Sequence, residues 1–97
     1  MIYHVCTQQE WLSALSAGFY EAASLTSEGF IHASSLDQVP SVLQRYYAGK
    51  ENLILLNIDE TLLSTTIKYE LALSVNEHFP HIYGRINIDA VVKTTPI

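Results

Sequence analysis

The chain has a single cysteine, Cys6, and only 5 lysines and arginines among 97 residues. One thiol excludes an internal disulfide framework. Five cations against 10 carboxylates leave a net charge of −5. No basic stripe exists to neutralise a nucleic-acid backbone, which disfavours general nucleic-acid binding. A small phosphate-bearing ligand needs only a few donors and stays open. No apolar run approaches the roughly 18 residues of a membrane-spanning helix, and residues 1–20 lack the basic-then-apolar order of a signal peptide. The expectation is a soluble, cytoplasmic chain with no membrane partner. A Gly-x-Gly-x-x-Gly turn, a Walker-type loop and a Gly-x-Ser-x-Gly elbow are all missing, which removes support for Rossmann, P-loop and serine-hydrolase chemistry. No repeat, low-complexity tract or linker divides the sequence, so residues 1–97 read as a single domain.

Hydrophobic residues make up 48% and charged residues 15%, the balance of a chain with a packed core and not of a disordered one. Residues 2–6 read as a strand. Thr7 with Glu10 forms a Thr-x-x-Glu capping box that opens a helix, Trp11, Leu12 and Leu15 give that helix an apolar face, and Gly18 stops it. Residues 19–25 suggest a second short extended piece, weakened by Ala22 and Ala23. Residues 30–34 alternate, with Phe30, His32 and Ser34 on one side and Ile31 and Ala33 on the other. A second helix opens at Ser35 or Asp37, accepts Pro40 in its first turn, buries Val39, Val42, Leu43, Tyr46 and Tyr47, and closes at Gly49. Residues 53–58 are a continuous apolar run, as in a strand covered on both faces. Residues 67–73 alternate again, setting Lys68, Glu70 and Ala72 opposite Ile67, Tyr69 and Leu71. Residues 74–80 read as a polar loop, and 82–86 and 90–93 as closing strands. The expected fold is α+β, with about six short strands and two helices.

Three of the 4 histidines lie inside apolar or aromatic strings: Ile2-Tyr3-His4, Glu28-Gly29-Phe30-Ile31-His32-Ala33-Ser34 and Phe79-Pro80-His81-Ile82-Tyr83-Gly84. A half-buried imidazole costs desolvation and needs a partner or a ligand. Strand geometry puts Ile2, His4 and Cys6 on one face and Phe30, His32 and Ser34 on another. Looking into one cleft, they would line it with two imidazoles, a hydroxyl and a thiol. The alternative is that each imidazole is a satisfied structural group.

Other chemistries fare less well. His78 and His81, with Glu77 adjacent, have a spacing superficially like metal ligands, but Pro80 between them argues against a helix, and no metal is expected. Cys6 with His4 or His32 would make a nucleophile–base pair, although a lone cysteine in an apolar strand is more often a core residue. Glu70, Glu28 and Glu77 are carboxylates able to orient an imidazole or polarise a ribose hydroxyl.

The three strings, in this order and spacing, resemble the bacterial "domain of unknown function 952" family across nearly the whole chain. Two departures stand out: Ala33 where that family often has cysteine, and Arg85 after Gly84 where it often has proline. The resemblance implies a fold like that of ADP-ribosyltransferases, two small sheets enclosing an NAD cleft. A looser similarity to RNA 2′-phosphotransferases runs through the order Tyr3-His4, His32-x-Ser34 and the apolar strand ending Ile58-Asp59. By that likeness His4 contacts a ribose, His32 and Ser34 form the second wall, and Glu70 stands where a glutamate stabilises charge on the anomeric carbon.

The expected site is a histidine-lined cleft binding a nucleotide or ribose-phosphate ligand of the NAD or ADP-ribose type. His4, His32, Ser34, His81, Tyr83 and Arg85 are its expected binding residues, and His4, His32 and Glu70 its catalytic ones should it be a transferase. The alternative is a non-catalytic binding or interaction module on the same scaffold, either a monomer or a weak homodimer; a metal-assisted hydrolase is a third reading.

Overall fold

The computed structural model describes residues 1–97 and builds an α+β fold of eight strands, three short helices and three single-turn 3₁₀ segments. β1 (Ile2–Thr7) and β4 (Leu53–Ile58) pair antiparallel, and β8 (Val91–Pro96) lies on the far side of β4. β4 is the central strand, which explains its unbroken apolar run. Ile54, Leu56 and Ile58 face the main core with Ile2 and Cys6, while Leu53 and Leu55 join Val5 and Val39 in a smaller cluster on the other face.

Thr7 ends β1 and caps α1 (Gln8–Ala17). Its hydroxyl accepts from the Glu10 amide at 3.1 Å, and the Glu10 carboxylate accepts from the Thr7 amide at 2.7 Å. Gly18 closes the helix at φ +89°, its N–H returning to the Ala14 carbonyl. The expected face of α1 needs correcting: Leu12 and Leu15 are exposed, and the helix is seated through Ala14 and Trp11. A small residue at the contact lets the helix backbone approach the core closely.

The extended piece expected over 19–25 is shorter than read. β2 (Phe19–Tyr20) pairs only with β7 (Ile86–Asn87), and α2 (Ala23–Ser27) follows at once, as its alanine and leucine favour. Gly29, at φ +90°, then turns the chain into β3 (Ile31–His32).

β3 lasts two residues where five were expected, because the chain changes partner. Ile31 and His32 pair with β6 (Glu77–Tyr83), the Ala33 amide donates to the Pro80 carbonyl, and Ser34 exchanges two 2.8 Å backbone bonds with Tyr3 of β1. Residues 31–34 thus cross from one sheet to another. Ser35 and Gln38 cap the following 3₁₀ turn, and α3 (Val39–Tyr46) carries Pro40 in its first turn.

β5 (Thr66–Ala72) and β6 form a hairpin, giving a sheet ordered β3-β6-β5. Here the loop expected over 74–80 is overturned: β6 begins at Glu77 and runs through Pro80. A residue's N–H and C=O point to the same side of a strand, so the donor Pro80 lacks would face Ala33, where regular pairing with β3 has ended. The architecture therefore has eight strands in three small sheets, β1-β4-β8, β2-β7 and β3-β6-β5, with three helices, in place of the expected six strands, two sheets and two helices.

Candidate functional site

The crossing at residues 31–34 leaves an open cleft of about 670 Å³ between two of the sheets. One wall is β1 with Tyr3, His4 and Val5, continued by Val42, Arg45 and Tyr46 of α3 and by Tyr47 and Lys50 beyond it. The other wall carries His32, Ala33 and Ser34, with Phe79 and His81 of β6 and Val75 of the hairpin turn. Tyr20, which is buried, and Ser24 and Glu28 complete the lining.

His4 is buried, and burial lowers its proton affinity below the usual imidazole value. The neutral ring then has one assignment. A carbonyl only accepts, so Nδ1–H donates to the His32 carbonyl at 2.5 Å, leaving Nε2 to accept from the Tyr20 hydroxyl at 2.8 Å. Both nitrogens have protein partners, which makes His4 part of the frame that holds His32.

β6 alternates in strand fashion: Pro80 and Ile82 face the core, while Phe79, His81 and Tyr83 face outward beside Glu70 of β5. His81 Nδ1 lies 2.9 Å from Glu70 Oε1, and the Tyr83 hydroxyl donates to the same oxygen. These two donors, Tyr83 first, hold the Glu70 carboxyl below its ordinary range, so Glu70 is an anion that only accepts. Nδ1 of His81 therefore carries the proton. The ring is stacked on Phe30, centroids 4.0 Å apart and planes within 19°. On β3, directly across the register, His32 Nε2 lies 3.0 Å from Glu28 Oε2. The two imidazoles meet edge to face at 5.5 Å.

Of the residues expected at the site, His4, His32, Ser34 and His81 line the cleft. Glu70 and Tyr83 do not: they stand behind His81 and reach the cleft only through its ring. Arg85 is elsewhere, bonded to Glu21 at 3.2 Å and lying 3.9 Å over the Phe19 ring. Lining residues the strings did not contain include Tyr20, Arg45, Tyr46, Tyr47 and Lys50. Arg45 and Lys50 were legible only as two of the chain's 5 cations, and nothing local marks them as neighbours of a histidine.

Nucleophile and metal chemistry find no geometry here. Cys6 is outside the cleft, and burial pushes its thiol up to about 12. His78 and His81, three apart on a strand, point to opposite faces. No group of three or more His, Cys, Asp or Glu side chains is arranged to hold a metal ion.

The fold and this cleft define a small α+β domain whose concave site lies between two three-stranded sheets. The chain belongs to the family described as "Protein of unknown function (DUF952)", which matches residues 5–94. It is similar to the crystal structure of protein CC0527 from Caulobacter crescentus, with a TM-score of 0.88 and 28% identity over 97% of this chain and 82% of that one. The solution NMR structure of CC0527 matches with a TM-score of 0.84, 28% identity, and 99% and 83% coverage. No curated protein matches the chain.

Proposed function

We propose that the cleft binds a single small-molecule ligand, a nucleotide or related ribose-phosphate of the AMP or ADP-ribose type. One observation carries this reading. In a chain of net charge −5, two of the 5 cations, Arg45 and Lys50, line the same cleft as Tyr3, Tyr46, Tyr47, His32, His81 and Phe79. Cations suit phosphate oxygens, Arg through its planar fork. Tyrosine and phenylalanine faces suit a flat heterocycle. The volume falls within the about 300–1,000 Å³ usual for small-ligand sites.

Transfer of ADP-ribose is less well supported. That chemistry needs a carboxylate at the reacting sugar, and Glu70 is held by His81 and Tyr83 behind the wall. Among activities on this scaffold, the position of Glu70 favours binding over ADP-ribosyl transfer.

Isothermal titration calorimetry with ADP-ribose tests the reading. Saturable binding that weakens with added salt is expected, and Arg45→Gln lowers the affinity about tenfold, the effect of losing ~1.4 kcal/mol from a charge-assisted contact. An affinity indifferent to both salt and Arg45→Gln contradicts it.

A further inference from the structure

We propose that His81 and His32 act as general base and general acid in the hydrolysis of a phosphodiester bond of the bound ligand, an inference that rests on the nucleotide-binding reading above. Each ring is tied to a carboxylate through one nitrogen only, and the tied nitrogens differ: Nδ1 in His81 and Nε2 in His32. The untied nitrogens are Nε2 of His81 and Nδ1 of His32, neither with a protein partner, on two rings 5.5 Å apart that both line the cleft.

The two environments divide the roles. The His81 side chain is only 12% exposed, clamped between Glu70 and the Phe30 ring, with its Nδ1–H committed to an anion. Its bare Nε2 is a fixed acceptor. The His32 side chain is 54% exposed, so its proton exchanges freely with bulk water. A phosphoryl centre places its attacking and leaving oxygens on opposite sides of phosphorus, and each needs a proton-transfer group within about 2.6–3.2 Å. Adjacent imidazoles with different free nitrogens meet that demand.

In the step itself, His81 Nε2 takes a proton from water as its oxygen bonds to phosphorus. His32, protonated, gives the Nδ1 proton to the departing sugar oxygen as the phosphorus–oxygen bond breaks. No oxidation occurs; His81 Nε2 then loses its proton to water and His32 Nδ1 regains one from water, which restores both rings. Arg45 and Lys50 supply the positive charge for the non-bridging oxygens. Glu70 and Glu28 are positioning residues: Glu70 fixes the tautomer of His81, Glu28 orients the His32 ring through its Nε2–H, and neither touches a reacting atom.

The experiment measures hydrolysis of adenosine 2′,3′-cyclic phosphate and of bis(p-nitrophenyl) phosphate, with binding of AMP recorded by NMR on the same samples. The intact protein is expected to cleave both. His81→Ala loses about 10²-fold or more on both, the usual contribution of a general base. His32→Ala loses as much on the cyclic nucleotide and far less on the nitrophenyl ester, because nitrophenolate departs without protonation. Glu70→Gln, which keeps the shape of the strand pair, lowers kcat about tenfold with KM unchanged. AMP binding without cleavage of either ester overturns the catalytic roles and leaves the binding reading intact. Cleavage unaffected by His81→Ala also overturns them. Absence of both AMP binding and cleavage overturns the two together.

Discussion

The Tyr20 hydroxyl donates to His4 Nε2 at 2.8 Å beneath the cleft, and through that ring the three sheets are joined. His4 belongs to β1 of the first sheet, Tyr20 to β2 of the second, and the His32 carbonyl that accepts the other His4 proton to β3 of the third. The rings of His4 and Tyr20 are tilted by 60° with centroids 5.1 Å apart. His4, which the resemblance sets against a ribose, lines the cleft and also joins the three sheets.

Removing the donor tests that joint. Tyr20→Phe keeps the ring and leaves His4 Nε2 buried without a partner, which costs about 1–3 kcal/mol. Urea unfolding is expected to show a lowered midpoint with an unchanged slope. A midpoint equal to that of the parent protein contradicts the role.

The same ring makes stability depend on pH. Burial puts the folded-state proton affinity of His4 below the unfolded value near 6.5, so the unfolded chain binds the extra proton first as pH falls. Stability from His4 is complete above about pH 6.5, declines below it, and levels off once the folded ring protonates too. Glu70 and Asp59 are depressed as well, Glu70 chiefly by the Tyr83 hydroxyl and Asp59 by Thr61. Their contributions are present above the unfolded carboxylate values of 4.5 and 3.8 and fade below them. Urea midpoints at about pH 7.5 and 5.5, on either side of the imidazole value, are expected to differ in the parent and to differ less in His4→Gln. An equal difference in both contradicts the assignment.

Cys6 gives a separate readout of the core. Its thiol is raised to about 12, first by burial and then by the charge of Glu10. At about pH 8 the folded protein is expected to leave an aromatic disulfide reagent unreacted, and to release one equivalent of chromophore when guanidinium is added. Rapid reaction of the folded protein runs against this packing.

Gly84 sets the end of β6 directly after Tyr83. It sits at φ +155°, and a Cβ there would lie 2.5 Å from Thr65 Cγ2. Gly84→Ala is expected to destabilise by roughly 1–3 kcal/mol through overpacking. Adding Thr65→Ala, which removes the clashing methyl, should recover part of the loss. No recovery in the double variant points away from this contact.

Local signals were the legible ones. The Thr7–Glu10 box, the Gly18 stop and the apolar run at 53–58 each act within a few residues, and each is where the sequence put it. Signals that depend on partners were misread. Residues 74–80 read as a polar loop, yet β6 begins at Glu77, and the strand beside Pro80 ends in time to excuse the missing donor. β2 pairs with β7 over two residues only, and a helix starts at Ala23. At the site, the histidines were visible as aromatic-flanked imidazoles, whereas the pairing of His81 with Glu70 depends on the register set by the turn over 73–76. Arg45 and Lys50 reach the cleft through the packing of α3, which no short motif encodes.

The most direct test of the ligand cleft is a proton–nitrogen NMR titration with NAD, ADP-ribose and AMP, recording the imidazoles and the backbone amides together. Saturable shifts at His32 and His81 and at the amides of Arg45, Tyr46 and Tyr47, with the Arg85 amide still, are the predicted result. No shift at these positions with any of the three at millimolar concentration would contradict it.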